Sequence, residues 1–430
     1  MKRVESRYTI KDLQIFKTQV LDWSESFESV VWLDSNKHHE KYSHYEGILA
    51  IGENTFLKTN YINAFDQLKK YQSQTKDYIF GYLGYDLKND IEKLDSQNQD
   101  ILEFPDLYFF QPKKILFISG NNVVFKYLEP FEKDIVKDFE AIVNQKNRIL
   151  SIETSSVNIK SKIEKDTYIK KVNSILTNIH HGDLYEVTFC QEFYSKDTTI
   201  DPIEVYKNLN NISKPPFATF LKFDNHYLLS ASPERYLKKR GEKIISQPIK
   251  GTAKRSNSFL EDARLKEELE NDPKERAENI MIVDLVRNDL SKVAKKGKTT
   301  VEELCKIYSF KQVHQMISTI SSHFSKDIHP VDIIKNTFPM GSMTGAPKIA
   351  AMQIIEKEEE SKRGLFSGSV GYFTPDGDFD FNVIIRSILY NESKKNVSFS
   401  VGSAITSLAI PEKEHEECLL KAKAMREVLL

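Results

Sequence analysis

Lys250 lies in Pro248-Ile249-Lys250-Gly251-Thr252, between an apolar strand-like run (243–247) and a glycine that lets the backbone approach a ligand closely. Sixteen residues upstream, Ser230-Ala231-Ser232-Pro233-Glu234 ends a second strand-like run on a carboxylate. An amine and an acid on neighbouring strand ends can act as nucleophile and proton partner. A lysine at its ordinary pKa of ~10.4 is only ~0.04% neutral at pH 7. Nucleophilic chemistry would therefore need burial or nearby cations to lower that pKa. On these residues alone, a solvated lysine in a hairpin is the simpler reading.

Two glutamate doublets offer a different chemistry. Glu275 and Glu278 are three apart at the start of one predicted helix, and Glu414 and Glu417 are three apart on the last one. Side chains at i and i+3 share a helix face. Two such faces meeting would gather the hard oxygen ligands that Mg2+ prefers. Lys421, four residues after Glu417, shares that face. An ordinary salt-bridged helix surface is the alternative. The residues after Glu278, Asn279 to Leu290, are apolar nearly all round, which predicts a largely buried helix. Charges at the end of such a helix are seldom unpaired.

Other segments hold single candidates. Ser342 lies in Pro339–Lys348, a glycine-rich approach to a helix with Pro347 suited to the first helical position. Free N–H groups there favour an anion. The Gly-Lys-Ser/Thr order of a Walker A loop is absent. Arg386, inside strand-like Val383–Ile388, is either a solvent-facing alternate residue or a buried carboxylate clamp. Val401-Gly402-Ser403 offers backbone amides that a ligand could approach. Tyr372 follows the glycine-punctuated run Gly368–Gly371. His314 is isolated, and reads equally as a core side chain and as a proton handler.

These residues need elements to position them. Asp166 is placed to cap a helix whose apolar positions are Ile169, Val172, Ile175, Leu176 and Ile179, with Gly182 as its stop. Further helices are predicted over 273–294, 347–359 and from 411 onward. Strands are predicted at 185–193, 216–223, 226–231, 243–249, 367–373, 380–390 and 396–401. Earlier in the chain, 78–85 reads as a buried glycine-punctuated strand, and 114–118 with 123–125 as a hairpin around Asn121-Asn122. Clustered strands separated by long helices indicate α+β rather than regular βαβ alternation. The polar stretch 151–165 divides an N-terminal lobe, 1–150, from a catalytic region, 166–430.

Composition narrows the setting. At 430 residues the chain exceeds the ~250–300 at which single cores stop growing. Its net charge of −1 argues against nucleic acid or an anionic membrane as the main partner. The three cysteines have no metal or disulfide spacing, which favours a reducing compartment. No run approaches the ~18 apolar residues of a membrane helix, and a cytoplasmic location is expected.

Taken in order, Ser230–Arg235, Pro248–Thr252, Glu275–Asp289, Val313–Ser318, Phe338–Lys348, Gly368–Tyr372, Arg386 and Pro411–Lys423 resemble the chorismate-utilising family of anthranilate synthase component I and aminodeoxychorismate synthase component I. The resemblance is strong over 165–430 and weaker in Trp32–Ser35, Gly81–Asp86 and Pro105-Asp106. It implies two large antiparallel sheets packed face to face with helices outside. It implies chorismate as substrate and Mg2+ as cofactor, with Glu278 and Glu417 as ligands and Glu275 and Glu414 behind them. Tyr372, Arg386, Lys421 and the backbone at Gly402 match groups that hold the substrate's carboxylates. His314 matches a residue beside the reacting ring, Ser342 a pocket hydroxyl, and Glu234 the general acid–base near the leaving C4 hydroxyl. Ala404 departs from the pattern, standing where a second glycine is usual.

Two positions distinguish members of this family. Relatives that form isochorismate or salicylate carry a water-activating lysine where this chain has Glu186. Anthranilate synthases usually carry alanine where this chain has Lys250, and lysine there marks aminodeoxychorismate synthases. The expected reaction is amination of chorismate through Lys250 as covalent nucleophile. None of the cysteines sits in a strand–turn–helix nucleophile context, so a separate glutamine amidotransferase is expected to supply ammonia. Anthranilate synthase component I is the nearest alternative. A non-catalytic regulator that binds chorismate or tryptophan is another, because Trp32–Ser35 resembles an effector-pocket segment.

Overall fold

The computed structural model describes residues 2–38, 41–42, 45–145, 157–295, 297–311 and 313–430. Of the expected linker, 151–156 lies outside them. Twenty strands join into one hydrogen-bonded network. Its origin is the long strand Leu107–Ser119, which pairs along its length with Gly47–Thr59. Its first half also pairs with Ile79–Leu83, and its second half with Asn122–Leu128, which closes the expected hairpin.

Two layers diverge from this strand. The first continues through Ser29–Asp34, Phe217–Phe223, His226–Ser232, Ser387–Asn391, Asn396–Thr406 and Glu186–Ser195. The second runs from Ile79–Leu83 through Ser369–Phe373, Phe379–Val383, Arg235–Arg240, Lys243–Gln247 and Val313–His323. Ile249–Lys254 and Thr300–Ser309 also pair with Val313–His323.

Side-chain alternation decides what each face does. Val31, Leu221, Leu228 and Leu389 of the first layer share a core with Phe80, Leu237, Val370 and Phe381 of the second. Their sequence neighbours Val30, Phe220, Leu229 and Ile388 face the other way. They pack there under the helices Leu13–Ser24, Lys165–His181, Pro202–Ser213 and Pro411–Glu427. The architecture is therefore α+β, with two sheets face to face and helices outside. Strands from 1–150 and from 166–430 interleave in both layers, through Ser29–Asp34 beside Phe217–Phe223 and Ile79–Leu83 beside Ser369–Phe373.

Several element boundaries differ from the sequence reading. The helix Lys165–His181 starts after Glu164, so Asp166 lies in its first turn, where its charge complements the positive end of the helix dipole, and does not cap it. Gly182 ends that helix at φ 92°, as expected. Pro347 stands just before the helix Lys348–Glu358 and not at its first position. The stretch 380–390 is two strands, one in each layer, because the chain crosses between layers at 384–386. Arg386 makes that corner at φ 53°, a conformation non-glycine residues seldom adopt. A second crossing, at Pro233-Glu234, links His226–Ser232 to Arg235–Arg240. The two corners are tied side by side: Val383 N–H donates to the Glu234 carbonyl at 3.0 Å, and Ala231 N–H to the Arg386 carbonyl at 3.1 Å.

No helix among the described residues is long and apolar enough to cross a membrane. Where the N- and C-terminal halves join in the second layer, Gly81 is paired with Gly371. A Cβ on Gly371 would run into the Asp380 carbonyl, and one on Gly81 into that of Tyr108. Gly371→Ala is expected to destabilise the fold by ~1–3 kcal/mol, the usual cost of overpacking. Thermal melts check this, and an unchanged Tm would mean the strands part freely.

Candidate active site

The two inter-layer corners open onto a cavity of about 780 Å³, within the range of small-molecule sites. Glu234 and Arg386 line it from the corners. Lys250 lines it from Ile249–Lys254, the short strand that follows Pro248. Glu275 and Glu278 come from the helix Pro273–Ser291, which packs on the second layer. Glu414, Glu417 and Lys421 come from Pro411–Glu427, which packs on Asn396–Thr406, the strand carrying Gly402. Ser342 completes the wall. Gly251 adopts φ 92°, and a Cβ there would stand 3.1 Å from Glu275 Oε2. A glycine is thus needed for the strand carrying Lys250 to lie against the glutamate helix.

Lys250 Nζ donates to Glu186 Oε1 at 2.6 Å. Glu186 is fully buried and its Oε2 has no hydrogen-bond partner. Burial by itself would lower the lysine pKa, but the carboxylates of Glu186, Glu278 and Glu234 outweigh it and raise the pKa. The groups around Lys250 are therefore acids, not the cations that a depressed pKa would need. Lys250 is held as an ammonium. Sequence marks Glu186 only as the absence of a lysine; the pairing with Lys250 spans 64 residues and comes from the fold.

Glu234 is 4% exposed and accepts from Ser342 Oγ at 2.6 Å. Burial pushes its pKa up to about 7, with the Ser342 bond and the Lys250 charge restraining the rise. An acid half-protonated near neutrality can both give and take a proton. Arg386 has its pKa lowered by burial, and Glu417 opposes the change. Among the described residues no protein acceptor bonds its guanidinium, which leaves that fork for an anionic ligand.

The four glutamates share the cavity, and lysines stand against three of them. Lys421 Nζ stands 2.5 Å from Glu417 Oε1 and 2.9 Å from the Gly402 carbonyl. Lys274 Nζ lies 3.4 Å from Glu414 Oε1 and 3.8 Å from Glu278 Oε1. Burial pushes the Glu278 pKa up to about 7. Its Oε1 is buried and makes no hydrogen bond. In this conformation no three acidic, histidine or cysteine side chains among the described residues stand close enough to hold an ion. The donor chemistry nonetheless suits a hard divalent cation, with carboxylates from two helices on one cavity and an orphaned Glu278 oxygen among them.

Two expected site residues lie elsewhere. His314 is on Val313–His323, where Val313 and Gln315 line the cavity, so alternation turns His314 away from it. It is 1% exposed, 2.8 Å from Ser309 Oγ and 3.1 Å from Asp262 Oδ1, a satisfied buried side chain. Tyr372 stacks on Phe80, with ring centroids 5.2 Å apart. It lines a separate cavity of about 70 Å³ with Leu33, Asp34, Ser35, Arg235 and Asp380. The aromatic residue at the main cavity is instead Phe366. Strand parity from Val313 could have excluded His314. Lys274 could have been found from its i, i+4 spacing to Glu278.

A buried acid, a largely buried lysine and two acidic helices surround one cavity of small-molecule size. Residues 28–427 match the family described as chorismate binding enzyme, and the chain belongs to it. It is 34% identical over 422 residues to a probable chloroplastic aminodeoxychorismate synthase of Oryza sativa subsp. japonica, covering 87% of this chain and 47% of that protein. The chain thus spans about half the length of that plant relative. It is 29% identical to anthranilate synthase component 1 of Lactococcus lactis, covering 93% of this chain and 91% of the relative. The fold matches the crystal structure of anthranilate synthase component I from Streptococcus pneumoniae with a TM-score of 0.79 at 23% identity, over 90% of this chain and 94% of the other.

The raised Glu234 pKa has a measurable consequence. Between the unfolded value of ~4.3 and about 7, the folded state keeps a proton that the unfolded state has lost. Glu234 therefore erodes stability as pH rises through that window. The 13C carboxyl resonance of Glu234 is expected to titrate near pH 7, and Ser342→Ala to move the midpoint upward. A midpoint near 4 would contradict this picture.

Proposed function

We propose that this chain is the synthase subunit that aminates chorismate to 4-amino-4-deoxychorismate, the precursor of 4-aminobenzoate and folate. A glutamine amidotransferase on a separate chain supplies the ammonia. The observation that carries this reading is Lys250, its side chain 11% exposed, paired with Glu186 and facing the same cavity as Glu234. The name of the rice relative supports it. Glu186 also stands where a water-activating lysine would be needed for hydroxylation at C2.

Mg2+ would be held by Glu278 and Glu417, with Glu275 and Glu414 behind them, where it would offset the substrate's ring carboxylate among so many acids. Arg386 and Lys421 bind the carboxylates of chorismate, and the backbone at Gly402 positions them. The reaction requires Lys250 to lose its proton against the pull of its acidic neighbours, and Glu186 is the carboxylate at hydrogen-bond distance to receive it. The free amine attacks C2 while the C4 hydroxyl leaves with a proton from Glu234. Ammonia then adds at C4 and expels the lysine amine. His314 and Tyr372 take no part, since neither reaches the cavity.

Lys250→Ala is the test. With chorismate, Mg2+ and ammonium, the variant is expected to form aminodeoxychorismate at least ~100-fold more slowly, as for loss of a covalent nucleophile. Chromatography of the products measures this. An unchanged rate and product would refute the covalent role.

A further inference from the structure

Lys274 differs from the other cations of the cavity because it serves one glutamate from each acidic helix. Lys250 pairs with Glu186, and Lys421 pairs with Glu417 on its own helix. Lys274 instead bridges Pro273–Ser291 to Pro411–Glu427, through Glu278 at 3.8 Å and Glu414 at 3.4 Å. The two carboxylates are fixed in the wall, at 7% and 2% exposure. The lysine side chain is 39% exposed and sits at the rim. Its backbone is anchored, because Asp272 accepts from the N–H groups of Lys274 at 2.8 Å and Glu275 at 3.0 Å. Only the four-carbon stem needs to move.

The contact with Glu278 is an ion pair too long for a hydrogen bond, and Glu278 Oε1 remains orphaned. A tethered ammonium offsets its charge without filling its coordination. That is a weak occupant for a buried carboxylate, and one that water can readily receive.

We propose that Lys274 is a built-in counter-cation that holds Glu278 and Glu414 together without metal and is displaced into solvent when a divalent cation binds between the acidic helices. The proposal rests on reading those glutamates as the metal-facing set. Binding is then an exchange: one positive charge leaves as two arrive. A lysine and a divalent ion a few ångströms apart repel strongly in a poorly solvated wall, so both cannot occupy the site. Exchange limits how tightly the metal is held and keeps the acidic helices from repelling each other in the empty state.

Mn2+ titration of the EDTA-treated chain, followed by electron paramagnetic resonance, tests this without any turnover. Lys274→Met is expected to bind Mn2+ about tenfold more tightly or better, while melting at a lower temperature in EDTA than the wild type. Lys274→Arg keeps the charge and is expected to stay near wild-type affinity. In the wild type, acetylation of Lys274, read by peptide mass, is expected to rise when Mg2+ is added. That readout stands even if Lys274→Met fails to fold. Equal or weaker Mn2+ binding by Lys274→Met, or acetylation indifferent to Mg2+, overturns the proposal. Absence of Mn2+ binding in the wild type overturns it together with the metal-facing reading. The amination of chorismate is tested separately by its product.

Discussion

Glu234, Glu275, Glu278, Glu414 and Glu417 line one cavity, with Glu186 buried behind Lys250, and a wall so rich in carboxylates is costly to hold ionised without cations among them. The site answers this constraint in two ways. Lys250, Lys274 and Lys421 each stand against a carboxylate. Glu234 and Glu278 have their pKa pushed up to about 7, so part of the charge is absorbed as protons. Each charge in the cavity is thereby coupled to the others. A substrate carboxylate or a divalent ion entering the cavity shifts several protons and ion pairs together.

The fold supplies the geometry for this balance. Two neighbouring strand crossings, at Pro233-Glu234 and at 384–386, put an acid and an arginine at the junction of the layers. The acidic helices approach the same junction from opposite layers. Reactive groups held on corners and helix ends, fixed by backbone bonds between the crossings, keep their spacing without a flexible loop.

Much of this was legible in the sequence. Apolar alternation and glycine punctuation locate the strands, and the four glutamates of the i, i+3 doublets line one cavity. Glu234, Lys250, Ser342, Arg386, Gly402 and Lys421 also reach it. What failed was orientation. His314 and Tyr372 lie in matched segments, but which face a strand residue presents depends on register with its partners, and that is set by the whole sheet. The environment of Lys250 is not legible in sequence for a related reason. Its partner Glu186 lies 64 residues away in sequence, and only the fold brings the two together. The break at Arg386 was hidden because two strands in different layers follow each other with a three-residue corner and no turn signal.

On the proposed reading, Lys250 in its carboxylate setting is the residue on which the product depends. The most direct measurement is to identify, by mass and chromatography, what the protein makes from chorismate, Mg2+ and ammonium. This account predicts 4-amino-4-deoxychorismate, with no anthranilate fluorescence. Anthranilate formed directly, without an added lyase, would contradict it.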